Sequence, residues 1–293
     1  MFEGATAAIV TPFRGGQLDG PALRAVTRHL LAGGIDGIVV VGSTGEGATL
    51  TPEERRRALE LVLEEAKGRA FVIAGTGTNA TDSTIQLTRS AKEAGADGVM
   101  LVTPYYNKPT PDGIVRHFEA VARAVELPII AYNVPSRTGM NLTPATAARL
   151  ARIPQVVAIK EAAGSLDQTT ELVLGSSLTV IAGDDSLTVP MMAVGAKGVI
   201  SVVANLIPGD VKALVSAMAK GDYETARRLH LRLYPLTKAM FIETNPGPVK
   251  HALALLGLVK DELRLPLVPV SEATGREIEG ALRSYGLAVG AAA

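Results

Sequence analysis

The 293-residue chain has no cysteine, which excludes disulfides, thiolate nucleophiles and thiolate metal sites. It has no excess of either charge: lysine plus arginine and aspartate plus glutamate each number 29, and no basic run stands out. Nucleic acid and anionic membrane surfaces are therefore not expected partners. No stretch of about 20 apolar residues occurs that could cross a bilayer. The start, Met1-Phe2-Glu3-Gly4, lacks the basic segment and long apolar run of an export leader. These absences lead us to expect a soluble cytoplasmic protein. What the chain has in quantity is apolar: 47% of its residues are hydrophobic, enough for one barrel domain or two smaller domains.

Apolar runs alternate with helical patterns from the start. Strands are expected at 5–11, 37–41, 70–74, 98–102, 128–132, 156–160, 178–182 and 198–201. Between them lie amphipathic segments at 21–32, 52–67, 82–94 and 111–125, with further helical stretches up to about Lys220. The second of these is well signalled, with Thr51 as N-cap, Pro52 at the first position, Glu53 and Glu54 in the first turn, and Gly68 as the stop. Strands alternating with helices imply a parallel sheet, and eight units imply a (β/α)8 TIM barrel; a doubly wound open sheet is the alternative. The barrel is preferred because polar groups end most strands, from Thr11-Pro12 through Tyr132-Asn133 to Gly183-Asp184-Asp185 and Ser201, whereas an open sheet needs them mainly at its switch point. We expect residues 1–222 to form the barrel that carries the active site. Residues 223–293 then form a C-terminal helical extension, with segments near 223–241, 246–256 and 272–285.

The run Val156-Val157-Ala158-Ile159-Lys160-Glu161 stops abruptly at an ammonium group. Alternation places Val156, Ala158 and Lys160 on one face, where the small Ala158 leaves space beside the lysine stem. At a pKa of about 10.4, only roughly one lysine in a few thousand is neutral at pH 7. Burial and nearby cations disfavour the charged form, and a free amine can attack a ketone to form a Schiff base. A lysine lying along apolar surface with its head in water is the bland reading. Tyr132, on the inner face of its own strand, has a phenol placed to reach the same mouth; a core tyrosine is its bland reading.

Other motifs carry less. Gly75-Thr76-Gly77-Thr78-Asn79-Ala80 fits a dinucleotide-binding pattern, but Asp97 precedes the next strand, whereas the ribose-binding acid sits at that strand's end. Gly42 to Gly47 is glycine-rich without the lysine and hydroxyl of a phosphate loop; Ser43 and Thr44 in it could hold a carboxylate or relay a proton. The histidines, His29, His117, His230 and His251, all fall in helical segments. Glu161, Asp184 and Asp185 could suggest an oxygen-ligand magnesium site. Hydrogen bonds from nearby serines and glycines would satisfy them equally well, and no metal is expected.

Several separate stretches, in order, carry a resemblance. Gly42-Ser43-Thr44-Gly45-Glu46, Tyr132-Asn133-Val134-Pro135 with Arg137-Thr138-Gly139, Ile159-Lys160-Glu161 with Gly164-Ser165, Tyr105-Tyr106-Asn107-Lys108-Pro109 and Glu243-Thr244-Asn245-Pro246-Gly247-Pro248-Val249-Lys250 resemble the class I pyruvate-dependent aldolases and lyases. Within that superfamily the chain is similar to the dihydrodipicolinate synthases, from Gly4 to at least Lys250. The resemblance implies that Lys160 condenses with pyruvate and that the resulting enamine attacks L-aspartate 4-semialdehyde, without cofactor or metal. It implies a proton relay of Tyr132, Ser43 and Tyr106, the last contributed across a dimer interface, in a homotetramer built from dimers. Ser43 stands where threonine is usual, and the hydroxyl is kept. Thr44 matches a pyruvate-carboxylate ligand, Gly183, Ile200 and Asn245 stand at substrate-contact positions, and Arg137 matches the arginine that orients the semialdehyde's carboxylate. That forked guanidinium separates the synthases from sialic acid lyases; a sister aldolase acting on a sugar acid or hydroxy-oxo-acid, or a silent 2-oxo-acid-binding barrel, are the alternatives. The family's lysine-feedback site is only partly kept: Ala48, Asn79 and Tyr105 match, but Arg55 and Ser83 replace histidine and glutamate. Weak or absent inhibition by L-lysine is expected.

Overall fold

In the computed structural model, which describes residues 1–290, eight parallel strands close on themselves. β1 (Gly4–Ala8) is followed by a small antiparallel hairpin, β2 (Phe13–Arg14) and β3 (Gln17–Leu18). The rest of the barrel is β4 (Gly37–Val40), β5 (Phe71–Gly75), β6 (Gly98–Val102), β7 (Ile129–Asn133), β8 (Val156–Glu161), β9 (Thr179–Ala182) and β10 (Gly198–Ser201), with β10 paired back to β1. Helices α1 (Gly20–Ala32), α2 (Pro52–Ala66), α3 (Thr81–Ala94), α4 (Pro111–Ala124), α5 (Pro135–Thr138), α6 (Pro144–Leu150), α7 (Leu166–Gly175), α8 (Thr188–Ala193) and α9 (Pro208–Ala219) surround it. Then come α10 (Tyr223–Ala239), α11 (Gly247–Leu255) and α12 (Glu272–Tyr285). The (β/α)8 barrel with a C-terminal helical part is thus the observed fold. No described helix is long and apolar enough to cross a membrane.

Side-chain alternation divides each strand between two cores. Ala8, Val39, Ile73, Met100, Ile130, Ala158, Ile181 and Ile200, one from each barrel strand, meet inside. Phe2 packs with them, its ring 5.2 Å from that of Phe71 at the start of β5, and closes the end where the strands begin. Outward residues such as Ile38, Val72, Leu101, Ala131, Ile159 and Val180 join the helices in a second, larger cluster. Residues of α10 to α12, among them Leu236, Leu253, Ile278 and Leu282, belong to that same cluster.

Local signals explain the helix ends. At α2 the Glu54 amide donates to the Thr51 hydroxyl at 3.2 Å, and the Thr51 amide donates to the Glu54 carboxylate at 3.0 Å, a reciprocal cap. α3 stops at Gly95, whose φ of 95° is one that side-chain-bearing residues resist.

Two expectations need correction. The pairing of β7 with β8 slips: Ile129 opposes Val156 but Ile130 opposes Ala158, leaving Val157 without a partner. Such a bulge reverses facing, so Val156 packs outward with the helices while Ala158 and Val157 face inward. The hairpin β2–β3 and the four-residue α5 were also absent from the sequence pattern, being too short for any periodicity to register.

Candidate active site

The strands' C-terminal ends open onto a cavity of about 410 Å³. Lys160 reaches it from β8 and Tyr132 from β7, opposite each other in strand register. Lys160 is only 5% exposed, and its Nζ lies 4.3 Å from the centroid of the Tyr132 ring. The small Ala158 behind it gives the stem its room, as the alternation implies. An amine held in this way is shielded from bulk water yet faces a space large enough for a small acid.

Around that amine the chain gathers residues far apart in sequence. Ser43, Thr44, Arg137, Gly183 and Asn245 all line the cavity, and Phe241, Glu243 and Thr244 add a wall from the segment between α10 and α11. Asn245 links two of them: its side-chain amide donates to the Thr44 hydroxyl oxygen at 3.0 Å, and its backbone carbonyl accepts from Arg137 Nη2 at 2.9 Å. Among the described residues the Thr44 hydroxyl accepts this bond and donates none, so its proton can be given to a ligand. Gly183 admits no side chain, since a Cβ there would fall 2.7 Å from that of Ala162 and 2.9 Å from the Glu161 carbonyl. Ile200 lies in the barrel interior, 1% exposed, below the lining. Tyr106 is not in the cavity of its own chain: it is 89% exposed, on a backbone with φ of 72°.

Burial is present at Lys160, and its cavity holds charges of both signs, the Asp184 carboxyl and the Arg137 guanidinium. The charge of Lys160 acts on two carboxyls, Asp184 and Asp185. Burial pushes both above the usual carboxylate range, and the lysine opposes that shift. Asp185 accepts from the Ser201 hydroxyl and from the amides of Val202 at 2.9 Å and Val203 at 3.3 Å. Burial also raises Glu161, which accepts from Asn133, Gln168 and, at 2.6 Å, the Ala163 amide. Protein donors thus satisfy Glu161 and Asp185. No cluster of three or more His, Cys, Asp or Glu suited to a metal occurs among the described residues.

The model of the dihydrodipicolinate synthetase family matches residues 1–284. The chain belongs to the dihydrodipicolinate synthetase family. It is 53% identical over 289 residues to the 4-hydroxy-tetrahydrodipicolinate synthase of Pelobacter propionicus, covering 98% of this chain and 100% of the relative. It is 52% identical over 289 residues to the enzyme of that name in Geobacter sulfurreducens, with the same coverage. The crystal structure of dihydrodipicolinate synthase from Aquifex aeolicus superposes with a TM-score of 0.97 at 46% identity, covering 98% of this chain and 99% of that one.

In this dihydrodipicolinate synthetase family member a second cavity of about 220 Å³ adjoins the first, sharing Gly42, Ser43, Met100, Tyr132, Val134 and Arg137 with it. Ala48, Arg55 and Tyr105 line it, whereas Asn79 and Ser83 do not. Arg55 spends its guanidinium on two backbone carbonyls, Gly75 at 3.1 Å and Gly47. Burial holds that guanidinium below its usual range, against the pull of Tyr105.

Glu46 and Lys250, the last residues of the runs Gly42–Glu46 and Glu243–Lys250, have a role that neither run shows by itself. The loop after β4 begins at Val41 (φ 53°) and reaches Glu46 (φ 50°), left-handed positions that non-glycine residues seldom hold. Glu46 forms an ion pair with Lys250 of α11 at 2.6 Å, both side chains 0% exposed, and also accepts from the Arg264 amide at 3.1 Å. Lys250 Nζ lies 4.3 Å from the centre of the Phe13 ring, and burial lowers its pKa against the pull of Glu46. The pair fixes the loop that presents Ser43 and Thr44. Its one legible signal was a lone cation in the apolar run Gly247–Leu255.

Proposed function

We propose that this chain condenses pyruvate with L-aspartate 4-semialdehyde through a Schiff base on Lys160, giving 4-hydroxytetrahydrodipicolinate. The observation that carries this reading is the placement of the Lys160 amine: buried, against the Tyr132 ring, in a cavity that also presents Thr44 and Arg137. In this scheme Lys160 attacks the pyruvate ketone and water leaves. Tyr132, with Ser43, carries protons to and from the carbinolamine and the aldol oxygen. The free proton of Thr44 binds the pyruvate carboxylate. The enamine then attacks the aldehyde while Arg137 holds the second substrate's carboxylate with charge-assisted bonds. Gly183 and Asn245 shape the contact surface, with Ile200 packed beneath it, and no cofactor or metal takes part.

We assign Tyr106 to the relay of a second copy. Its outward position on a strained backbone supports this, because a phenol so placed can serve a neighbour's cavity but not its own. A homotetramer built from dimers, working in the cytoplasm, completes the proposal, with residues 1–222 as the barrel unit and 223–293 as the extension that adds Asn245 to the site.

Turnover of pyruvate and L-aspartate 4-semialdehyde in a coupled reductase assay tests the reading. Failure to use the semialdehyde, with efficient cleavage of a sugar acid, would favour a sister aldolase. Arg137→Ala is expected to lower kcat/KM for the semialdehyde roughly a hundredfold, the scale of about 3 kcal/mol for lost bonds to a charged group. Imine formation with pyruvate should change only a few-fold; equal loss in both would refute the role given to Arg137.

L-Lysine is expected to inhibit weakly or not at all. Arg55 brings a cation to the second cavity and is already bonded to Gly75 and Gly47, and Ser83 offers no carboxylate for an incoming ammonium. A saturable inhibition curve at submillimolar lysine would contradict this.

A further inference from the structure

Four carboxylates lie in or beside the catalytic cavity, and three are already engaged. Glu161 is held by Asn133, Ala163 and Gln168, and Asp185 by Ser201, Val202 and Val203. Glu243 accepts from the Ser271 amide at 3.0 Å. Asp184 is the exception: it lines the cavity just past the end of β9, and among the described residues no hydrogen bond to its carboxylate occurs. Two charged neighbours act with it, the Lys160 amine and the carboxyl of Glu161, and Arg137 lines the same cavity. A carboxylate that shares the cavity with the reacting amine and has no hydrogen-bond partner among the described residues has no part in the scheme above.

The proposed second substrate gives it one. L-Aspartate 4-semialdehyde carries a carboxylate and an ammonium on the same carbon. With Arg137 binding the carboxylate, the ammonium needs an acceptor, and its nitrogen must lose a proton before it can act as a nucleophile. We infer that Asp184 receives the α-ammonium of the second substrate and takes a proton from it, so that this nitrogen can displace Lys160 from the condensed product. The inference rests on the function proposed above.

The step balances as follows. The ammonium gives one proton to the Asp184 carboxylate, and the freed lone pair bonds to the carbon of the Lys160 iminium, whose π electrons move to Nζ. A proton passes from the new ring nitrogen to Nζ. The carbon–Nζ bond breaks with its electron pair leaving on Nζ, while the ring nitrogen's lone pair closes a cyclic iminium that then sheds a proton. Lysine leaves as a neutral amine, and the proton on Asp184 returns to it or to water. Burial, by raising Asp184 above an ordinary carboxylate, makes it a stronger base for this step.

Asp184→Asn and Asp184→Glu in the full-length enzyme provide the test. Each is treated with borohydride after mixing with pyruvate alone, or with pyruvate and L-aspartate 4-semialdehyde, and the intact mass is measured beside steady-state rates. Succinate semialdehyde, which keeps the aldehyde and carboxylate but lacks the amine, is the comparison substrate. Asp184→Asn should trap pyruvate on Lys160 as the parent does, turn over the amino-aldehyde at least a hundredfold more slowly, and accumulate the condensed adduct. It should also lose the parent's preference for the amino-aldehyde over succinate semialdehyde, and Asp184→Glu should recover part of the rate. Near-parent turnover by Asp184→Asn would overturn the inference. So would a proportional loss of pyruvate trapping and turnover, which would make Asp184 only an electrostatic neighbour of Lys160. A parent enzyme that traps no pyruvate at all would overturn the proposed function itself.

Discussion

Lys160→Ala is expected to lower turnover on the order of 10⁴-fold or more, because it closes the covalent route instead of weakening one contact along it. The rest of the cavity would still bind substrates: Thr44, Asn245 and Arg137 bond to one another and not to the lysine. The variant should therefore fold and retain pyruvate affinity within about an order of magnitude, so that the loss falls in kcat. Lys160→Arg should be equally inactive, since a guanidinium stays protonated and cannot attack a ketone. Steady-state kinetics together with pyruvate titration of the folded variant separate these outcomes. A residual rate within a hundredfold of the parent would mean that the amine assists a reaction it does not carry.

Lys250→Met is expected to produce the largest loss of stability. It leaves Glu46 charged and fully buried without its partner, a situation that costs about 3–5 kcal/mol. In a chain of this size that is a fall in melting temperature of roughly 10 °C. Replacing both partners should behave differently, because the burial cost of two charges disappears along with their attraction. Glu46→Gln combined with Lys250→Met, which keeps an acceptor for the Arg264 amide, should recover most of the loss. Urea unfolding of the parent, both single variants and the double variant closes this cycle. A double variant no more stable than Lys250→Met alone would show that shape, not charge, governs the site.

The barrel was legible because its signals are local. Thr51, Pro52 and Glu54 announce α2, the apolar run before Lys160 announces β8, and repetition of such units leaves few folds to choose from. Lys160 and Tyr132 could be placed together because both lie at strand ends on inward positions, and strand period fixes that without any knowledge of neighbours. What was not legible depends on pairing. The bulge at Val157 shows only when β7 is laid beside β8. The bond from Asn245 to Thr44 spans 201 residues and the ion pair of Glu46 with Lys250 spans 204. No periodicity carries information across such distances. Asp184 and Asp185 look alike in sequence, and only the structure shows that Ser201 and two amides bond to one while the other has no hydrogen-bond partner among the described residues.

The most direct measurement is reductive trapping. The enzyme is mixed with pyruvate, reduced with borohydride, and analysed by intact mass and peptide mapping. The expected result is one adduct per chain, on the peptide that contains Lys160, and none in Lys160→Ala. An adduct on Lys250 or on a surface lysine, or no adduct under conditions of full turnover, would contradict the account.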